Sequence, residues 1–203
     1  MGLMTGTMYL NAPPPENDVV RLENLSETHR SDLQDSSVAA SMWEWMPVIP
    51  TGTSLDAYID YCLAEMRGDS FCPFVVYRKS DNSFAGLVAY ERVSRTHRRL
   101  GVGFLWHPEH VRGTDVVPAT QLALLERAVQ ARFQRISYYI PEENERALRA
   151  FDRIGARREG VIRHYMRAAN GTWSNVVVLS LITDEIKAAM DVLGDRVRQL
   201  QLA

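Results

Sequence analysis

The sequence predicts an α+β domain, one mixed and mostly antiparallel sheet with helices on both faces. Three observations carry this. Runs of β-branched and aromatic residues at period two alternate with apolar residues at helical spacing. The strand runs come as a cluster of three, then one between two helices, then a closing pair. The length of 203 residues, 46% of them hydrophobic, suits a single domain that buries its own core.

Residues 1–18 contain Pro13, Pro14 and Pro15 and few large apolar side chains, and read as a flexible N-terminal arm. The domain spans 19–203. Val19 to Leu22 is a short strand. Ser26 is placed to cap a helix running to about Ser41, which must end before Pro47. An aromatic turn follows at 43–47. Ser54 caps a second helix with Leu55, Tyr58, Ile59, Cys62, Leu63 and Met66 on helical spacing, ended by Gly68.

The period then changes. Phe74 to Tyr77 is a strand, 80–83 a turn, and Phe84 to Val93 a second strand. Leu100 to Trp106 is a third, whose Gly101 and Gly103 mark a bulge or a close approach of backbone. A loop at 108–115 leads to a long helix over 116–133, a strand over 135–140 and a helix over 142–154 ended by Gly155. Strands at 159–168 and 173–182 flank an Asn170-Gly171 hairpin turn. The terminal helix, 186–200, sets Ile186, Met190, Leu193 and Val197 on one face, for its own domain or for a second copy in a homodimer.

Composition narrows the function. A net charge of −2 argues against a nucleic-acid partner. Two cysteines, Cys62 and Cys72, make neither a disulfide framework nor a zinc motif, and no carboxylate–histidine set has ligand spacing, so no metal is expected. No apolar run is long enough to span a bilayer and Met1 to Tyr9 lacks signal-peptide features, so no membrane association and a cytoplasmic location are expected.

Four stretches together resemble the GNAT superfamily of N-acetyltransferases, and within it the branch that includes ribosomal-protein N-terminal acetyltransferases. They are Trp45-Met46-Pro47; Val102-Gly103-Phe104-Leu105-Trp106-His107-Pro108 followed by Arg112-Gly113-Thr114; Asn144 through Gly155; and Glu159 to His164 with Asn170-Gly171 and Ser180. The resemblance implies transfer of an acyl group from acyl-CoA, most simply acetyl-CoA, to an amine acceptor. It implies a V-shaped gap in the sheet between the third strand and the Arg135 strand, with the pantetheine arm in that gap along Phe104, Leu105 and Trp106. The pyrophosphate would sit at Arg112, Gly113, Thr114, Asp115, Val116 and Val117, where the first N–H groups of a helix lack internal partners and its dipole favours an anion.

This chain departs from that pattern. Asp115 stands where glycine is usual and Val117 where a small residue is common. A carboxylate there is either a plain helix cap or a competitor for the pyrophosphate N–H groups. Asn144 matches a cofactor-contacting asparagine and equally suits an N-cap. Phe151 stands where many members carry a tyrosine that protonates the leaving thiolate, and Ala147 where the ribosomal-protein branch often has serine; neither can donate a proton.

Three groups remain for acid–base work. His164 falls where members often place a basic residue. Tyr90 and Glu91 point to opposite faces of their strand, so one of them faces the gap. Tyr138 and Tyr139 pose the same choice. Trp43, Trp45, Met46 and Tyr139 are the candidate acceptor contacts, against the plainer reading of aromatic residues as core. Besides acetyl transfer to a protein N-terminus or small amine, two alternatives stand: a ligand-binding module without turnover, and transfer of a larger or acidic acyl group steered by Arg95, His97, Arg98 and Arg99.

Overall fold

Among the described residues the period-two runs form seven strands: β1 (Val20–Asn24), β2 (Cys72–Arg78), β3 (Phe84–Ser94), β4 (Arg99–Trp106), β5 (Arg135–Pro141), β6 (Arg157–Arg167) and β7 (Trp173–Ile182). The structure, a computed structural model, describes residues 9–35, 55–66, 70–168 and 171–202. The strands make one sheet in the order β1-β2-β3-β4-β5-β7-β6. Every pairing is antiparallel except β4 with β5.

Helices cover both faces. On one, α3 (Val116–Gln130), α4 (Glu145–Arg153) and α5 (Thr183–Gln201) bury Leu124, Phe151 and Ile186 against Val76, Val88, Ile136 and Leu181. On the other, α2 (Leu55–Glu65) packs Tyr58 and Ile59 on Val75, Leu87 and Trp106. Alternate residues of β2 therefore serve opposite cores, as the strand repeat requires. α1 (Arg30–Asp35) follows a 3₁₀ turn at Glu27–His29. The expected course to Ser41, the 43–47 turn, the Ser54 cap and Gly68 lie outside the described residues.

The parallel pairing of β4 and β5 is short: Arg99 with Arg135, Leu100 with Ile136, Gly101 with Ser137. Beyond it the strands part. β4 carries an extra residue against β3 between the Leu87 and Ala89 positions, and Phe104 there has φ +54°. A bulge bends the strand that carries it, and β4 turns away from β5. This is the V-shaped gap.

Three elements differ from expectation. Residues 9–18 are no loose arm: Leu10 is fully buried, Asn17 Nδ2 donates to the Ala119 carbonyl at 2.8 Å, and Asn17 Oδ1 accepts from Val19 and Val20 N–H. The proline-rich composition masks one apolar anchor and one asparagine that satisfies backbone. α4 starts at Glu145 rather than 142, since Asn144 caps it. α5 starts at Thr183, with the Glu185 carboxylate accepting the Ile182 N–H at 3.0 Å. Its apolar stripe faces its own domain: Ile186, Ala189 and Leu193 are buried, with Met190 and Val197 packed against the same core.

Candidate functional site

A cleft of about 1040 Å³ opens where β4 and β5 part. The start of α3 and one side of α4 wall it, together with the later turns of α5 and, from the opposite face, Tyr61 of α2.

On β3 the Tyr90/Glu91 choice is resolved. Tyr90 is fully buried in the core, outside the cleft lining, and its hydroxyl donates to the Leu124 carbonyl at 2.6 Å. Glu91 faces the cleft with its side chain 16% exposed. Its carboxyl lies over the two glycines of β4. A Cβ built on Gly103 would fall 2.8 Å from Glu91 Cδ, and one on Gly101 3.0 Å from Cγ. The close approach expected of those glycines is thus an approach to a carboxylate. Burial pushes the Glu91 carboxyl above its usual range, against the lowering pull of Arg92, whose Nε lies 3.5 Å from Oε1.

The loop before α3 is built around Gly113 at φ +82°. Thr114 Oγ1 donates to the Val111 carbonyl at 2.7 Å and accepts from Val116 N–H at 3.3 Å. Thr114, then, is the residue that satisfies the helix start. Asp115 makes no side-chain cap bond. Neither Asp115 nor Val116 lines the cleft, whereas Arg112, Gly113, Thr114 and Val117 do. Asp115 therefore stands at the N-cap position without a side-chain cap bond and outside the cleft lining. Pro118, third residue of α3, has no N–H, so this helix offers one donor fewer than most. Arg112 Nε donates to the His107 carbonyl at 3.0 Å.

His107 follows β4 directly. It is buried and lines the cleft, and its Nδ1 sits 2.7 Å from the Ala85 carbonyl. A carbonyl only accepts, so Nδ1 carries the proton and Nε2 presents a lone pair, with no hydrogen-bond partner among the described residues. Burial pushes its pKa down to about 4, so the ring is neutral near pH 7.

On α4, Asn144 Oδ1 accepts the Ala147 N–H at 3.1 Å and the residue also lines the cleft, so both roles foreseen for it coexist. Ala147 and Phe151 line the same wall. The Phe151 ring stacks on Tyr138 with centroids 4.1 Å apart. Neither position carries a proton donor.

Phe104, Leu105 and Trp106 line the opposite wall, Phe104 packing edge-on against Phe71 at 5.0 Å. Tyr139 faces the cleft while Tyr138 is core. Tyr139 stacks on Tyr165 of β6 at 5.9 Å.

His164 is not brought to the cleft lining. It is exposed and stacked on Trp173 at 5.9 Å. Arg95 to Arg98 form an exposed turn and Arg99 is exposed at the start of β4; none of them lines the cleft. Trp43, Trp45 and Met46 lie outside the described residues. Among the described residues no three His, Cys, Asp or Glu side chains group to hold a metal, and no helix is long and apolar enough to cross a membrane.

A mixed sheet split at one parallel pair, with a helix start and a carboxylate facing the gap, is the frame of a GNAT acyltransferase. The sequence profile of the acetyltransferase (GNAT) domain matches residues 20–157, and the chain belongs to that family. No curated protein sequence matches it. Among solved structures, the GCN5-related N-acetyltransferase from Brucella melitensis is similar at 21% identity over 90% of this chain and 84% of that one, with TM-score 0.78. RimJ from Mycobacterium smegmatis, in complex with CoA-disulfide, is similar at 20% identity over 90% and 92%, TM-score 0.74. The spermidine N-acetyltransferase from Vibrio cholerae, in complex with CoA and spermine, is similar at 15% over 84% and 99%, TM-score 0.70. At these identities the likeness shows the fold.

Proposed function

We propose that the protein is an N-acyltransferase that moves an acetyl group from acetyl-CoA to a primary amine, with Glu91 as general base. The observation that carries this is the meeting, in one cleft, of an unpaired stretch of β4 and the buried Glu91 carboxylate.

Past Gly101 the β4 backbone facing β5 lacks ladder partners, and a pantetheine arm has amide groups that pair with such an edge. Arg112 and the Gly113–Thr114 backbone at the start of α3 suit the pyrophosphate. The thioester then lies beside Gly103 and Phe104, within reach of Glu91. Glu91 takes a proton from the acceptor ammonium, and the freed amine attacks the thioester carbon. Collapse of the tetrahedral intermediate breaks the C–S bond and releases CoA thiolate, and the excess proton on the attacking nitrogen passes to solvent, leaving the neutral amide. The pKa of Glu91, raised by burial, makes it a stronger base than a solvated carboxylate. With Ala147 and Phe151 in the cleft wall, no side-chain acid serves the thiolate from those two positions.

The acceptor class is a protein N-terminus or a small aliphatic amine. The test is thiol release from acetyl-CoA across a panel of amines and N-terminal peptides, with wild type and Glu91→Gln. Turnover that falls at least a hundredfold in Glu91→Gln is expected. CoA binding without turnover on any amine would instead mark a binding module.

A further inference from the structure

Glu91 and Arg92 are neighbours in β3, and a regular strand would send them to opposite faces of the sheet. Here both line the cleft. The cause is a second bulge, in β3 between the Glu91 and Ser94 positions, where Arg92 takes φ +51°. A positive φ is strained for a side chain other than glycine. The chain accepts that strain and thereby sets a guanidinium beside a mostly buried carboxylate.

The guanidinium is held from the far side of the split. Its carbon lies 4.4 Å from the centroid of Tyr139 on β5 and 5.5 Å from that of Tyr165 on β6. The two rings stack nearly parallel, 13° apart. Arg92 thus reaches from β3 across β4 to the other half of the sheet, with Nε 3.5 Å from Glu91 Oε1. Cation–π contact of this kind fixes a side chain that is otherwise 45% exposed.

From this geometry we infer that Arg92 is a positioning residue for the base: clamped by Tyr139 and Tyr165, it keeps Glu91 ionised and aimed into the cleft. The inference rests on the reading of Glu91 as base. Among the described residues Arg92 is the cation that draws the Glu91 carboxyl down. From α2, Tyr58 and Tyr61 approach as neutral phenols whose pKa values burial raises, with the Glu65 carboxyl next to Tyr61. From β4, Gly101 and Gly103 lie under the carboxyl and bring no charge. Loss of water favours protonated Glu91, and Arg92 opposes it.

The experiment is a ¹³C-carboxyl NMR titration of the glutamates in the ligand-free protein, with Glu91 assigned by its loss in Glu91→Gln, alongside the pH profile of kcat/KM. In Arg92→Gln the Glu91 midpoint is expected to rise by about one pH unit, the low end for removing an adjacent opposite charge. The acid limb of kcat/KM moves up with it. Arg92→Lys, which keeps the charge and loses the planar stacking, recovers part of the shift. If Arg92→Gln fails to fold, Arg92→Met keeps the stem against the tyrosines and reads the same midpoint. An unmoved Glu91 midpoint, or a kcat/KM lowered equally at every pH, overturns the inference and leaves Arg92 a structural staple. The base reading fails separately: Glu91→Gln would then retain the acid limb, while the titration still reports on the Arg92–Glu91 pair.

Discussion

Gly103→Ala isolates the placement of the base from the stability of the fold. The added Cβ would stand 2.8 Å from Glu91 Cδ and 2.9 Å from Oε1. An ordinary carbon–carbon contact is about 3.5–4.0 Å, so the carboxyl must retreat by about 1 Å. Gly103 lies in extended backbone that alanine adopts freely, and the displaced atoms are the far end of a flexible side chain. Unfolding free energy should therefore change by less than about 1.5 kcal/mol. Catalysis is less tolerant: a 1 Å misplacement of a reacting group costs about a hundredfold, equivalent to about 2.7 kcal/mol of barrier. The expected result is a kcat/KM about a hundredfold lower in the thiol-release assay, with CoA affinity by calorimetry and thermal Tm close to wild type. Activity within twofold of wild type with an unchanged pH profile would refute the placement of Glu91 as base.

Other perturbations follow from the charges. The folded pKa of Glu91 lies above its unfolded value, so the stability its site lends exists below about pH 4 and is lost as pH rises through the folded pKa. Glu91→Gln should accordingly melt higher than wild type at pH 8 and show no such gain at pH 3; equal Tm differences at both pH values would contradict the burial of that carboxylate. Glu159 is the opposite case: hydrogen bonds from Arg135 and from Ser180 hold it down to about 2. Its contribution is present above about pH 4.3 and lost as pH falls toward 2. With both partners about a third or more exposed, Glu159→Gln should cost about 0.5–1 kcal/mol in urea unfolding at pH 7 and nothing at pH 2. Because Asp115 makes no cap bond, Asp115→Asn should strengthen CoA binding only through its charge, by about fivefold at most and less in high salt. A gain beyond tenfold in titration calorimetry would show the carboxylate competing for the N–H groups after all.

Much of the fold is legible because period and punctuation agree: the strands and α3 fall within a few residues of where alternation and helical spacing place them. The site is legible only where the period holds. Alternation established that one of Tyr90 and Glu91 faces the gap, but which one depends on packing against Leu124, which lies more than thirty residues away. Bulges defeat alternation outright. The one in β3 brings Arg92 to the same side as Glu91. In β6 the pairing shifts between Ile162 and Met166, where His164 has φ +50°, and it is Tyr165 rather than His164 that enters the cleft. Backbone strain of that sort leaves no trace in hydrophobic pattern. His107 shows a different gap: no local signal in a polar loop residue tells that its ring will be sealed over Ala85.

The proposed mechanism has Glu91 as base and, at the two α4 positions, no acid, and the chemistry of the two proton transfers explains how that asymmetry can work. A thiol near pKa 8.5 leaves as thiolate at little cost near neutrality, so its protonation need not accompany C–S cleavage. The acceptor is the harder half. An aliphatic ammonium near 10.4 is neutral in only about one molecule in 2,500 at pH 7, a deficit of about 4.6 kcal/mol, whereas an α-amino group near 7.7 falls short by only about 1 kcal/mol. The demand on Glu91 therefore differs between the two acceptor classes by about 3.6 kcal/mol. In Glu91→Gln, turnover of a peptide N-terminus should climb with pH and level off near 8, the amine supplying its own neutral form. Turnover of an aliphatic amine should keep climbing tenfold per unit to about 10. Coincident Glu91→Gln profiles for the two acceptors would mean that deprotonation is not what Glu91 contributes, and the base assignment would fall with it.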